Sequence, residues 1–277
     1  MDAKTRKRLR KQKKKLQSFH FSRMVPNMTT LIALCTGLSA IRFAMQEQFA
    51  IAVFAIIIAA ILDMMDGRIA RFLGASSHFG AELDSLSDSI CFGVSPAIMI
   101  YIVSLYQLGN IGWAMCLFFV ACQTLRLARF NTVNLMDTEE TTDLWKKKYF
   151  TGVPAPAGAM LALLPLIFGF AFDIPMEKFP LIHSIFMVGT ALLMVSKIPT
   201  FSLKGLQIKT GHILPLMLVS ALFIVILVTH PWLSLLLFWM MYLVSIPFSI
   251  RSYSHNAKKY TLTKNNETGG SAPLLKK

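Results

Sequence analysis

Charge is what this sequence has least of. Only 15% of its 277 residues are Asp, Glu, Lys or Arg, while 55% are hydrophobic and the mean hydropathy is +0.56. A soluble domain carries about a quarter charged residues, so a water-facing surface over most of the chain is excluded and a multi-pass membrane protein is implied. Cysteine is also scarce. Cys35, Cys91, Cys116 and Cys122 lie scattered in apolar runs with no CxxC pair, which argues for small core residues and against a disulfide framework or thiolate metal site. The six histidines form no HxxxH or HExxH pattern, there is no internal repeat, and no short cleavable apolar region follows the N-terminal charges. Acidic residues are the scarcer sign, 14 against 28 basic ones.

What is present falls into three parts: a basic arm (1–23), an apolar domain (24–250) and a polar tail (251–277). The arm, with "KTRKRLRKQKKK", cannot bury a core, and is expected to be disordered or to lie on an anionic membrane surface. About twenty apolar residues cross a bilayer. On that rule the chain is an all-α polytopic bundle of about eight transmembrane helices, near 27–45, 49–66, 86–106, 111–130, 156–172, 179–196, 212–229 and 231–249. Pro26 and Asn27 in "VPNMTT" mark the expected start of the first. The loops "QEQ", "YQLGN", "DIPMEKFP" and "THP" together hold one lysine, Lys178, whereas the alternate segments are rich in Lys and Arg. That asymmetry places both termini in the cytoplasm. It also assigns the net charge of +14 to the cytoplasmic face and anionic lipid, with no nucleic-acid partner. The tail beyond Tyr253 is expected to be loose.

Against this apolar background, four aspartates recur at 63, 66, 84 and 88, at the ends of "IAVFAIIIAAIL" and "SICFGVSPAIMIYIV". A carboxylate there is costly and marks a functional site. Asp63, Asp66, Gly67 and Ala70 share one helix face by spacing, as do Gly80, Asp84 and Asp88, while Glu82 points elsewhere. The two segments run in opposite directions, so both pairs reach the cytoplasmic end. Four carboxylates so close require compensation. Arg68 and Arg71 are too few, and hard divalent cations with oxygen ligands suit the set. Small neighbours admit a phosphate-bearing ligand, so the residues suggest a two-metal site that clamps a pyrophosphate. A proton- or ion-conducting pair in a cation-coupled transporter, or acids capping helix ends, remains open on spacing alone.

Residues 63–88 match D-x2-D-G-x2-A-R-x8-G-x3-D-x3-D at every position: Asp63, Asp66, Gly67, Ala70, Arg71, Gly80, Asp84 and Asp88. The pattern resembles the signature of the CDP-alcohol phosphotransferase family. The resemblance implies transfer of a phosphatidyl or related group from a CDP-activated donor to an alcohol, with release of CMP. It implies two divalent ions, Mg²⁺ or Mn²⁺, on Asp63, Asp66, Asp84 and Asp88, with Asp88 a ligand or the general base. It also implies that Gly67, Ala70, Arg71 and Gly80, with Asn27 and Thr30, line the nucleotide, and that the protein is a homodimer in the bacterial inner membrane with its site at the cytoplasmic face.

The acceptor must be read elsewhere. "RLARFN" sets Arg126 and Arg129 on one face at the inner end of the fourth run, and "LMVSKIPTFSLK" brings Lys204. Arginine suits a phosphate or a carboxylate, though the same residues also serve as positive-inside anchors. With "VPNMTT" and "YFTGVPAPAGA", these segments are similar to those of the bacterial integral-membrane phosphatidylserine synthases. That implies CDP-diacylglycerol and L-serine as substrates; glycerol 3-phosphate or inositol phosphate are the alternative acceptors.

Overall fold

The computed structural model describes residues 3–75, 77–136, 149–196, 198–201 and 213–269. Its ten helices, among those residues, run in order. They are α1 (Ala3–Met45), α2 (Phe49–Phe72), α3 (His78–Asp88), α4 (Ser95–Val103), α5 (Asn110–Met136), α6 (Ala155–Ala162), α7 (Leu164–Phe172), α8 (Pro180–Val195), α9 (Ile213–Thr229) and α10 (Pro231–Gly269). Two three-residue strands, β1 (Tyr149–Thr151) and β2 (Pro199–Phe201), pair antiparallel with Phe150 opposite Thr200. Gly152, directly after β1 at φ 82°, extends this two-stranded ribbon, its N–H donating to the Ile198 carbonyl at 2.8 Å. A side chain there would press on the Met194 carbonyl, so glycine is required.

All eight apolar runs are helical, but not all are full spans. Among the described residues five helices are long and apolar enough to cross a membrane. The pair α6 and α7, bent by 49°, makes a sixth. Pro165 at the start of α7 explains the break, because it has no N–H to continue the ladder. With 16 residues α8 rises about 24 Å, short of the ~30 Å hydrocarbon layer. The Met217–Thr229 stretch is shorter still. The chain is nonetheless a multi-pass membrane protein. Ile32, Ile51, Ile58, Leu117, Leu125 and Leu237 all lie exposed on outer helix faces, a surface that hydrocarbon tolerates and water does not.

Two expectations about α1 and the tail are corrected. The helix does not begin at Pro26 and Asn27 but runs through them from Ala3, so the basic arm is helical in backbone; α10 likewise continues through the polar tail to Gly269. Lys, Arg and Gln are good helix formers. Pro26 removes one backbone hydrogen bond, and the Thr29 and Thr30 hydroxyls bond back to the Val25 and Pro26 carbonyls at 3.1 and 3.0 Å on its far side.

The core is built on small residues. Ala33, Gly37, Ala40 and Ala44 form one stripe of α1, which meets Ala52, Ala55 and Ala59 of α2 in an antiparallel hairpin. A side chain at Gly37 would overlap the Cys91 sulfur, whose thiol donates to the Ala33 carbonyl at 3.5 Å. That approach seats α1 against the third apolar run, which is not one regular helix. Between α3 and α4, residues Ser89–Val94 form a π-helical turn. Pro96, just inside α4, cannot donate to the Phe92 carbonyl, and the ladder widens immediately before it. The turn begins directly after Asp88, the last residue of α3.

Candidate functional site

Two helix ends deliver the carboxylates. Asp63 and Asp66 come from the last turns of α2, and Asp84 and Asp88 from the last two turns of α3. Asp63, Asp66 and Asp84 each place one carboxylate oxygen within 4.8 Å of the others. Asp63 also lies within hydrogen-bonding reach of both Asp84 and Asp88. Helix α3 is started by Ser77, whose hydroxyl accepts from the Gly80 amide at 3.0 Å. Its far end is tied to α5 by Asn131, which donates to the Ser85 hydroxyl at 2.8 Å.

Asp66 is nearly sealed, 4% exposed, and accepts a 2.6 Å hydrogen bond from the equally buried Thr30 hydroxyl. Thr30 thus fixes one carboxylate oxygen of Asp66. Asp88 carries a buried oxygen, Oδ1, with no hydrogen-bond partner. Across from it, the Arg126 guanidinium interacts with Asp88 electrostatically, and its own buried Nε is unpartnered. Buried polar atoms are ordinarily satisfied. One unpartnered acceptor and one unpartnered donor therefore leave hydrogen-bonding capacity for a ligand.

The donor set fits a hard divalent cation. Three to four carboxylates converge, all oxygen, held by two rigid helices with one oriented from behind by Thr30. Like charges at this separation do not remain together without a cation or protons.

The remaining predicted residues divide. Gly67 is exposed, and nothing lies within 4 Å of where a side chain would begin, so packing does not demand glycine there and a ligand has room. Gly80 differs: a side chain would stand 3.0 Å from Asn27 Oδ1 and 3.1 Å from Ser77 Oγ, so this glycine lets α3 approach α1. Ala70 lies half-buried on the same face of α2, and Arg71 donates from Nε to the Gly67 carbonyl at 3.0 Å, along the rim. Glu82 is exposed and takes no part. Arg126 and Arg129 have separate partners. Arg129 is exposed and reaches the Val195 carbonyl, at 3.5 Å, at the end of α8. Lys204, like Lys197, lies outside the described residues.

Sequence reasoning missed the π turn after Asp88, for which Gly93 and Pro96 were the only available signals. It also missed Tyr242 of α10, which interacts electrostatically with Arg126 from more than a hundred residues away. Nothing in the spacing of either residue announces that meeting.

Comparison with known proteins agrees with the geometry. The family model for CDP-alcohol phosphatidyltransferases matches residues 23–196, and a second, CDP-alcohol phosphatidyltransferase 2, matches residues 212–247. The chain is 37% identical over 231 residues to a CDP-diacylglycerol–serine O-phosphatidyltransferase of Mycobacterium tuberculosis, covering 83% of this chain and 79% of that one. It is 32% identical over 223 residues to the Helicobacter pylori protein of the same name, covering 80% and 88%. A Bacillus subtilis protein of that name is 35% identical over 175 residues, 63% of this chain and 88% of its own.

Proposed function

The chain belongs to the CDP-alcohol phosphatidyltransferase family, and from that premise we propose that it transfers a phosphatidyl group from CDP-diacylglycerol to the hydroxyl of L-serine, giving phosphatidylserine and CMP. The observation that carries this reading is the convergence of Asp63, Asp66 and Asp84, with a buried Asp88 oxygen that has no hydrogen-bond partner and Arg126 in electrostatic range of Asp88. The names of the relatives support serine as the acceptor.

In this reading Asp63, Asp66 and Asp84 hold divalent metal, two Mg²⁺ or Mn²⁺ ions, with Asp88 as a further ligand or as general base. Bound there, the metal supplies charge stabilisation to the pyrophosphate and to the departing CMP. Thr30 keeps Asp66 aimed at the site. Gly67, Ala70 and Arg71, with Asn27, Thr30 and Gly80 behind them, form the nucleotide side, where the open space over Gly67 admits the backbone-close approach of a phosphate. Asp88 takes the serine hydroxyl proton as the oxygen attacks the phosphorus that bears diacylglycerol. The bond from that phosphorus to the CMP oxygen breaks, and its electron pair leaves with CMP. Arg126 answers negative charge on the acceptor or donor phosphate, with Arg129 and Lys204 as outer cations.

The topology that suits this chemistry has eight membrane passes, both termini cytoplasmic and the site at the cytoplasmic face of a bacterial inner membrane. There the nucleotide stays in water and the acyl chains in lipid. The catalytic unit is the domain over 24–250, flanked by the arm and tail, and the working form is a homodimer.

The test is CMP release from CDP-diacylglycerol by purified protein with Mn²⁺ or Mg²⁺. L-Serine, glycerol 3-phosphate and inositol phosphate are offered in parallel, and Asp88→Asn is the control. Serine-dependent release abolished by the substitution is expected. Release with glycerol 3-phosphate alone would replace the acceptor, and no release by folded protein would overturn the reading.

A further inference from the structure

The mechanism above leaves the basic arm without a task. Of the twelve residues from Lys4 to Lys15, nine are Lys or Arg and only Leu9 is apolar. A helix of that composition has no apolar face to insert into hydrocarbon or to lay in the groove of a partner protein. Whatever it meets, it meets through charge. Ten basic residues and one acid, Asp2, give residues 1–23 a formal +9 of the chain's +14.

The arm is the first part of α1, and Lys15 lies about 18 Å along that helix from Asn27, at ~1.5 Å per residue. Asn27 stands against α3, its Oδ1 3.0 Å from where a Gly80 side chain would begin, and Thr30, one turn beyond Pro26, donates to Asp66. The arm is thus rooted at the edge of the carboxylate site. Pro26 withholds the N–H that would reach the Ser22 carbonyl, so α1 bends most readily there. A bend at Pro26 lays the arm over the headgroups beside the site.

The donor in the reading above is itself an anion, a lipid with a pyrophosphate in its headgroup. It diffuses in the plane of the bilayer that holds α1, whereas a soluble polyanion has to be captured from solution. Cationic groups beside a site raise the local concentration of an oppositely charged substrate, and Lys and Arg close to a membrane surface attract anionic lipid.

We propose that the arm collects the anionic donor lipid, holding CDP-diacylglycerol at the bilayer surface beside the carboxylate site before it enters. This rests on the phosphatidyl-transfer reading above. It adds an outlying contact for the donor, supplied by residues that take no part in the transfer. The same charge attracts other anionic phospholipid, which therefore competes for the arm.

The experiment compares wild-type protein with a variant in which the nine Lys and Arg between residues 4 and 15 are replaced by Gln, a good helix former. Both are reconstituted into phosphatidylcholine vesicles with CDP-diacylglycerol as a minor component. CMP release is measured at fixed Mn²⁺ and saturating L-serine. At low salt the donor KM, as mole fraction in the bilayer, is expected to be about 10-fold higher in the variant, with kcat unchanged. The gap should close at ~1 M salt, where the screening length is about 3 Å. Phosphatidylglycerol added to the vesicles should raise the wild-type KM toward that of the variant. Because the substitutions remove charges that orient a chain in the membrane, the comparison is repeated with a protease site inserted after Ser18 and the arm cut from folded, purified protein. The cut protein should show the same rise in donor KM. Equal donor KM at low salt before and after the cut would overturn the proposal. So would a gap that persists at ~1 M salt, or a wild-type KM that falls as phosphatidylglycerol is added. Wild-type protein without serine-dependent CMP release would instead refute the function on which the proposal rests.

Discussion

Thr30→Val tests how the metal site is held. The substitution preserves size and branching but deletes the hydroxyl that donates to Asp66 Oδ2 at 2.6 Å. Both residues are 4% exposed, so no water replaces the lost donor easily. A hydrogen bond to a charged group contributes about 1.5–3 kcal/mol, and removing the partner that orients a metal ligand costs about 10–100-fold in metal affinity. The hydroxyl has one proton, and the carbonyl of Pro26 at 3.0 Å is the weaker claimant. Most of the loss should therefore appear at the metal site and little in the fold. Mn²⁺ titration of activity, beside direct Mn²⁺ binding by calorimetry, should show the binding constant weakened by that factor, with the melting temperature nearly unchanged. Thr30→Ser, which keeps the oxygen, should restore most of the affinity. Wild-type Mn²⁺ affinity in Thr30→Val would refute the argument that Thr30 orients Asp66.

Four further outcomes follow from the same structure. Gly37→Leu forces a side chain onto the Cys91 sulfur, and should lower the thermal stability in detergent by the equivalent of about 1–3 kcal/mol. Gly67→Ala, where no atom lies within 4 Å, should melt like the wild type yet bind CDP-diacylglycerol more weakly, a split visible by comparing melting curves with KM. Arg126→Ala should raise the serine KM more than Arg129→Ala does, because Arg126 interacts electrostatically with Asp88 while Arg129 reaches the Val195 carbonyl; equal effects in kinetic assays would contradict that division. Pro96→Ala restores an N–H where the π turn ends, and should lower kcat while leaving the protein folded, since re-registering the turn re-aims Asp88; unchanged kcat would show that the turn does not set the aspartate.

Much of the site was legible in the sequence because it depends on local spacing. Asp63 and Asp66 share a face of α2, and Asp84 shares a face of α3 with Asp88, whatever the bundle does around them; the convergence of Asp63, Asp66 and Asp84 follows once the two segments lie side by side. The apolar runs were legible for the same reason, although hydropathy alone does not tell the full-length α5 from the short α8. Pro26 misled because proline usually starts a helix, whereas here the back-bonding threonines on its far side carry α1 through. The π turn depends on Pro96 withholding a donor within an otherwise ordinary apolar stretch. The β1–β2 pairing and the meeting of Tyr242 with Arg126 join distant segments, and no periodicity encodes such contacts.

The central claim is that the serine oxygen becomes bonded to the phosphorus that bears diacylglycerol. Purified protein given CDP-diacylglycerol, Mn²⁺ and L-serine labelled with ¹⁸O at its hydroxyl should yield phosphatidylserine that retains the label, with unlabelled CMP, by mass spectrometry of both products. Asp88→Asn should yield neither product. Label appearing in CMP, or CMP formed with no labelled lipid, would contradict the account.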